Sequence, residues 1–211
     1  MTRARVLLAD DHLLIAQALE HLLQSHFEVV GTVSDGRALL KAASELKPDV
    51  AVVDIGMPLL NGLDAGEQLK SVQPDIKVII LTQNREPRFA VEAFRRHASG
   101  YLLKDSAASE LTTAICEALG GRSYVSPAIA KAMVDETLVA GGSVVTRELS
   151  GREREVLQLL AEGKSMKEVA AILDISPRTV EFHKYRIMDL LGVKTNAELV
   201  QQAIRLGLIA S

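Results

Sequence analysis

The first part of the chain is punctuated by short, uninterrupted apolar runs: Val6-Leu7-Leu8-Ala9, Val50-Ala51-Val52-Val53, Val78-Ile79-Ile80-Leu81 and Tyr101-Leu102-Leu103. Runs of β-branched residues and leucine of this length read as strands buried on both faces. A fifth run, Glu28-Val29-Val30-Gly31-Thr32-Val33, has the same character. The stretches between them carry helical spacing at roughly 12–25 (Leu13, Leu14, Ala18, Leu19, Leu22), 36–46, 62–71, 88–97 and 107–120. This β-α repeat predicts a doubly wound α/β domain with a five-stranded parallel sheet, in the order 2-1-3-4-5. The second strand runs into Ser34-Asp35, a helix start, which suits an edge strand outside the binding crevice.

Beyond Gly120-Gly121 the pattern changes. Ser126-Pro127 has the signature of a helix start, and Ile129, Met133, Val134 and Leu138 keep helical spacing before Gly141-Gly142-Ser143 loosens the chain. Three capping boxes follow, Ser150-x-x-Glu153, Ser165-x-x-Glu168 and Thr195-x-x-Glu198, while Ser176-Pro177 opens a further helix. Helices over 165–174 and 176–191 are separated by almost nothing, which suggests a helix-turn-helix. The expected organisation is a domain over 1–121, a linker with a short helix over 122–147, and a small all-α domain over 148–211.

With 211 residues, 48 % hydrophobic and 24 % charged, the composition is globular, and no stretch approaches the roughly eighteen apolar residues of a membrane span. The amino terminus lacks a secretory apolar core, and the lone Cys116 cannot form an internal disulfide; both fit a cytoplasmic protein without membrane contact. Cys116 reads as a helix-packing residue, since no cationic partner adjoins it. Lys and Arg number 13 against 16 acids over 1–122, and ten against nine over 147–211. The carboxy-terminal segment is too weakly basic to announce nucleic-acid binding by charge, so any such case rests on placement.

Candidate chemistry sits at the strand ends: Asp10-Asp11 after the first strand, Asp54 after the third, Thr82 after the fourth and Lys104 after the fifth. Ligands of open parallel sheets bind beyond the carboxyl ends of the strands, so these residues would share one crevice. Three carboxylates brought together repel strongly unless a cation joins them, and a hard divalent ion is the natural resident. Asp54 could then attack phosphorus as a nucleophile, with Thr82 and Lys104 on the equatorial oxygens. Taken singly, Asp10 or Asp11 reads more often as a helix cap, Thr82 as a strand end and Lys104 as a solvated charge. Their joint order along successive strands argues for a site.

Leu8-Ala9-Asp10-Asp11-His12, Val53-Asp54-Ile55-Gly56-Met57-Pro58 with Asn61-Gly62, Leu81-Thr82 and Ala98-Ser99-Gly100-Tyr101-Leu102-Leu103-Lys104-Asp105 resemble the flavodoxin-like receiver domain of bacterial two-component response regulators over about residues 3–121. The resemblance implies that Asp54 takes a phosphoryl group from a sensor histidine kinase. It also implies Mg²⁺, or Mn²⁺ in its place, held by Asp10, Asp11, Asp54 and the backbone carbonyl of Gly56. Thr82 and Tyr101 match a pair that rearranges on phosphorylation. Asp105 stands where many receivers have proline, and Gln83 follows Thr82 where a smaller residue is frequent. Arg96-His97 replaces a glycine-containing helix end, where a left-handed cap bearing a Cβ costs about 1 kcal/mol.

In the helix over 176–191, Val180, Ile187, Leu190 and Leu191 face inward, while the stretch 176–194 holds four Lys/Arg against two acids. Such a helix could enter a major groove or, equally on charge, serve a small protein-binding bundle. Leu149-Ser150-Gly151-Arg152-Glu153-Arg154-Glu155-Val156-Leu157, Ala161-Glu162-Gly163-Lys164-Ser165, Lys167-Glu168-Val169-Ala170 and Ser176-Pro177-Arg178-Thr179-Val180-Glu181-Phe182-His183 resemble the LuxR-type helix-turn-helix over about 148–209. This implies double-stranded DNA as partner, with Glu181, Phe182 and Tyr185 facing bases. Lys167, Thr179, Lys184 and Arg186 are candidate phosphate contacts, and Arg178 and His183 flank them. Met166 stands where the family often has Asn. The helix over 196–206, with Leu199, Val200, Ala203 and Ile204, resembles the family's dimerisation element, so a homodimer on an inverted repeat is expected.

Together the two resemblances imply a phosphorylation-controlled transcriptional regulator of the NarL/FixJ kind, a switch that is not a turnover enzyme. One rival is an aspartyl-phosphate phosphatase of the haloacid dehalogenase type, but that class needs an acid where this chain has Gly56. Another is a phosphorylation-independent dimerisation module joined to the DNA domain.

Overall fold

The computed structural model describes residues 3–139 and 149–209, with 134–139 described by backbone alone. Strands and helices alternate as β1 (Arg5–Ala9), α1 (Leu13–Gln24), β2 (Glu28–Val33), α2 (Gly36–Leu46), β3 (Val50–Asp54), α3 (Gly62–Val72), β4 (Lys77–Thr82), α4 (Pro87–Arg95), β5 (Gly100–Leu103) and α5 (Ala107–Leu119). The sheet is parallel throughout, in the order β2-β1-β3-β4-β5-β6. The expected order therefore holds, with one addition. After Gly121, whose φ is +78°, the chain turns back and β6 (Tyr124–Val125) pairs with β5. Two residues carry no legible periodicity, which is why the sequence pattern missed this strand.

Alternate residues of the central strands enter different cores because successive side chains point to opposite faces. Leu7, Val53, Ile80 and Leu103 pack under α2, α3 and α4, whereas Leu8, Val52, Leu81 and Leu102 pack under α1 and α5. In α1 the buried stripe is Ala16, Leu19 and Leu23, so of the expected Leu13, Leu14, Ala18, Leu19 and Leu22 only Leu19 is buried; Leu13 and Leu14 are exposed. Cys116 corrects another expectation. It is exposed on α5, because Leu111, Ala114, Ile115 and Ala118 take the sheet-facing stripe and position 116 lies about 100° round from its neighbour Ile115.

Asp35 caps α2 through Ala38 N–H as its sequence position suggested. His97 is left-handed at φ +64°, the strained helix exit expected after Arg96. The helix α6 (Pro127–Val139) follows the Ser126-Pro127 signal, and the loosening at Gly141-Gly142-Ser143 lies outside the described residues.

The carboxy-terminal part comprises α7 (Gly151–Ala161), α8 (Met166–Leu173), α9 (Pro177–Leu191) and α10 (Asn196–Arg205). All three capping boxes form with both halves in place, and Ser176 accepts the Thr179 N–H at the start of α9. Asp174, left-handed at φ +52°, ends α8 and lets α9 begin almost at once. Val156, Leu157, Val169, Leu173, Val180, Ile187, Leu199 and Ala203 form the core of this unit.

The two parts meet along α7. Arg154 Nε lies 2.7 Å from Asp64 Oδ1 on α3, and Arg96 NH1 reaches the same oxygen at 2.6 Å. Glu155 accepts from Arg37 and Gln68, each at 2.9 Å. Gln158, wholly buried, bonds both Met57 and Asn61 in the turn between β3 and α3. Buried charges that share partners in this way set register more than they add stability, and removing one partner leaves an uncompensated charge.

Gly62 shows how tightly that turn is packed: a Cβ there would lie 2.0 Å from the Asp54 carbonyl oxygen. Gly62→Ala is expected to cost about 3 kcal/mol or more, read as a shift of the urea midpoint, because backbone must move. A midpoint equal to wild type would contradict this packing.

Candidate functional site

Two strand ends, those of β1 and β3, deliver the acidic side chains to one pocket. Asp10 and Asp54 are buried, while Asp11 is partly open to solvent. Lys104, at the end of β5, drives its ammonium between them, 2.8 Å from Asp10 Oδ2 and 2.9 Å from Asp54 Oδ2. The Asp10 contact is a close ion pair whose angles fall outside hydrogen-bond geometry. Burial raises the Asp54 carboxyl above its ordinary range; Lys104 opposes this, and the negative charges of Asp10 and Asp11 add to it. One ammonium therefore does not fully compensate three carboxylates.

His12 joins the cluster, its Nδ1 2.8 Å from Asp11 Oδ1 and 3.3 Å from Asp10 Oδ1. Ligand atoms of Asp10, Asp11, His12 and Asp54 all lie within 4.8 Å of one another, a spacing that could hold a metal ion. The helix-cap reading of the acids weakens: His12 occupies the N-cap of α1 without a capping bond, and Asp10 Oδ1 instead accepts the His12 N–H at 2.8 Å.

Thr82 is buried at the end of β4, beside Leu103 in register, and its carbonyl accepts the Lys104 N–H at 2.8 Å. Its hydroxyl accepts from Asn84 N–H at 3.0 Å. Tyr101 is fully buried, and burial pushes its phenol upward, with the nearby Thr82 hydroxyl giving back part of that shift. Among the described residues the Tyr101 hydroxyl has no hydrogen bond of full geometry, and its polar neighbour is the Thr82 hydroxyl.

Family models match this architecture in two places: the response regulator receiver domain over residues 6–116, and the LuxR family of bacterial regulatory proteins over 147–203. Among curated relatives, the probable transcriptional regulatory protein NarL of Mycobacterium tuberculosis is 33 % identical, covering 96 % of this chain and 94 % of its own. The chain belongs to the NarL/FixJ-type response regulators. Among solved structures, RcsB from Salmonella enterica serovar Typhimurium bound to promoter P1flhDC with phosphomimetic BeF₃⁻ is similar at 26 % identity and TM-score 0.60, covering 95 % of this chain and 97 % of that one. A structure of two RcsB dimers bound to two parallel DNAs is similar with the same identity, coverage and TM-score.

In this response regulator the receiver carries the acidic pocket, and α8–α9 form the helix-turn-helix of the LuxR-type DNA-binding domain. Arg178, Glu181, Phe182, Tyr185 and Arg186 are exposed on α9, while Thr179, His183 and Lys184 are half-buried. Phe182 and Tyr185 are 60 % and 63 % exposed, so docking of the two domains leaves both side chains in solvent. Arg186 is held 2.9 Å from the buried Glu153, which gives its guanidinium a partner inside the domain. Lys167 is exposed at the start of α8. In α10, Leu199 and Ala203 are spent on the domain core, leaving Ile204 and part of Val200 on the surface.

Two participants were not assigned from sequence. His12 had a signal, the contiguous Asp-Asp-His. Gln158 had none, because its partners lie 97 and 101 residues away.

Because the buried Asp54 carboxylate is held in a disfavoured charge state, Asp54→Asn is expected to raise the melting temperature in metal-free buffer at neutral pH. A lower melting temperature than wild type would mean that its pairing with Lys104 outweighs burial.

Proposed function

We propose that Asp54 accepts a phosphoryl group from the phosphohistidine of a sensor histidine kinase, and that the receiver thereby switches the DNA-binding domain. The observation that carries this reading is the convergence of Lys104 on Asp10 and Asp54 at the carboxyl edge of the sheet. An Asp54 carboxylate oxygen forms a bond to phosphorus as the phosphorus–nitrogen bond breaks, and the imidazole leaves with the electron pair.

Asp10, Asp11 and Asp54 form the kind of oxygen donor set that Mg²⁺ takes, with Mn²⁺ as the alternative. The Gly56 carbonyl completes it: among the described residues it accepts no hydrogen bond, whereas the Ile55, Met57 and Pro58 carbonyls all do. Bound there, the ion would neutralise charge on the transferring group. The Lys104 ammonium can leave the Asp54 oxygen for a phosphoryl oxygen, and the Thr82 hydroxyl can turn from Asn84 toward another. That movement opens space beside the Tyr101 ring, whose shift is the switch. The chain accepts its own phosphoryl group and acts as a regulator without turnover.

On the DNA side, Glu181, Phe182 and Tyr185 face base edges, and Lys167, Arg178, Thr179, His183, Lys184 and Arg186 serve the backbone. The similarity to dimeric, DNA-bound RcsB supports a homodimer on an inverted-repeat operator. We place the domains at 1–121 and 148–211 with a linker over 122–147, and the protein in the cytoplasm. No helix among the described residues is long and apolar enough to cross a membrane.

With a radiolabelled small-molecule phosphoramidate and Mg²⁺, the wild type should take up label and Asp54→Asn should stay blank; equal labelling would overturn the assignment. Lys184→Ala should weaken operator binding on all sequences alike and lower the salt slope by about one. An unchanged slope removes Lys184 from the phosphate contacts.

A further inference from the structure

The DNA-binding domain touches the turn between β3 and α3 around a strained residue. Leu59 sits at φ +65°, a conformation leucine rarely adopts. Its side chain packs against the core of the DNA-binding domain, and its N–H donates to Glu162 Oε1 at 3.0 Å. Gln158 brackets this residue on both sides. Its Nε2 donates to the Met57 carbonyl at 3.0 Å, and its Oε1 accepts the Asn61 N–H at 2.8 Å. Gln158 is wholly buried, and Glu162 accepts its second amide hydrogen at 2.8 Å, so the carboxamide is oriented from its own helix.

The same turn carries the proposed metal ligand. The Ile55 carbonyl accepts from Gly62 at 2.9 Å, the Pro58 carbonyl from Leu60 at 2.8 Å, and the Met57 carbonyl is taken by Gln158. Among the described residues the carbonyl that accepts no hydrogen bond is that of Gly56, next in sequence to the residue Gln158 holds. Gly56 also lies against the nucleophile, since a Cβ built there would be 3.7 Å from Asp54 Oδ2. A turn with one strained residue would sample other conformations if unrestrained, and the backbone of Gly56, three residues before Leu59, would shift with them.

We infer that Gln158, on the first helix of the DNA-binding domain, is a positioning residue for the receiver's metal loop. It acts through the Met57 carbonyl and the Asn61 N–H to hold the Gly56 carbonyl toward Asp54. The inference rests on the reading of Asp10, Asp11, Asp54 and Gly56 as a divalent-cation site. Docking and metal binding then stabilise one conformation of the turn, so each must strengthen the other by the same factor.

The test uses the full-length protein, stripped of metal and titrated with Mg²⁺ by calorimetry. Gln158→Met keeps the volume and loses the hydrogen bonds to Met57 and Asn61 in the turn; it should raise the Mg²⁺ Kd by about fivefold or more. Gln201→Ala, exposed on α10 of the same domain and away from the turn, should leave the Kd unchanged. Hydrogen exchange supplies a second readout. In the wild type, saturating Mg²⁺ should slow exchange of the Leu59 and Asn61 amides, and in Gln158→Met that protection should be lost. Wild-type affinity retained by a folded Gln158→Met, or amide protection indifferent to Mg²⁺, would overturn the inference while leaving the cation site standing. A wild type that takes up no Mg²⁺ would remove the cation-site reading and this inference with it.

Discussion

The Lys104 ammonium, lodged between the Asp10 and Asp54 carboxylates, is the interaction on which the rest of the receiver depends. Two unit charges about 4 Å apart at an effective dielectric constant near 20 interact by roughly 4 kcal/mol, so three clustered carboxylates would not stay together unaided. Lys104 reduces that repulsion without ending it, and Asp54 remains above its ordinary range because burial dominates. The pocket is thus electrostatically unfinished, with room for more positive charge and for a group whose own charge Lys104 can follow. Phosphoryl transfer uses both properties, since catalysis of that step is chiefly positioning and charge neutralisation.

The sheet makes this arrangement inexpensive in conformational terms. Asp10 follows β1, Asp54 ends β3, and Lys104 follows β5, all strands buried among apolar side chains that fix their register. Thr82 is pinned by its backbone to Lys104, so the hydroxyl and the ammonium move on a common support. Tyr101 lies on β5, three residues before Lys104, with its hydroxyl weakly held among the described residues.

The seam between domains is polar and largely buried, an arrangement better suited to a defined docking geometry than to tight adhesion. Asp64 shared between Arg96 and Arg154, Glu155 between Arg37 and Gln68, and Gln158 across the β3–α3 turn place α7 against the edge of the phosphoacceptor loop. Phe182 and Tyr185 on α9 stay exposed, so docking of the two domains does not bury them. Under the proposed function, the turn that carries Leu59 and Gly56 is where the cation site and domain docking share backbone.

Local physics made much of this legible in the sequence. Five strands, their order, the helix-turn-helix and all of its capping boxes follow from periodicity and from side chains that bond within three residues of themselves. The strand-end residues could be grouped because parallel topology sends alternate chemistry to one edge. Folding decided what depends on remote partners: the two-residue β6, the outward turn of Cys116, the use of Leu199 and Ala203 in the core, and the link from Arg186 to Glu153. Gln158 is the clearest instance. Nothing beside it in sequence distinguishes it from a surface glutamine, because its role exists only once chain about a hundred residues away is brought against it.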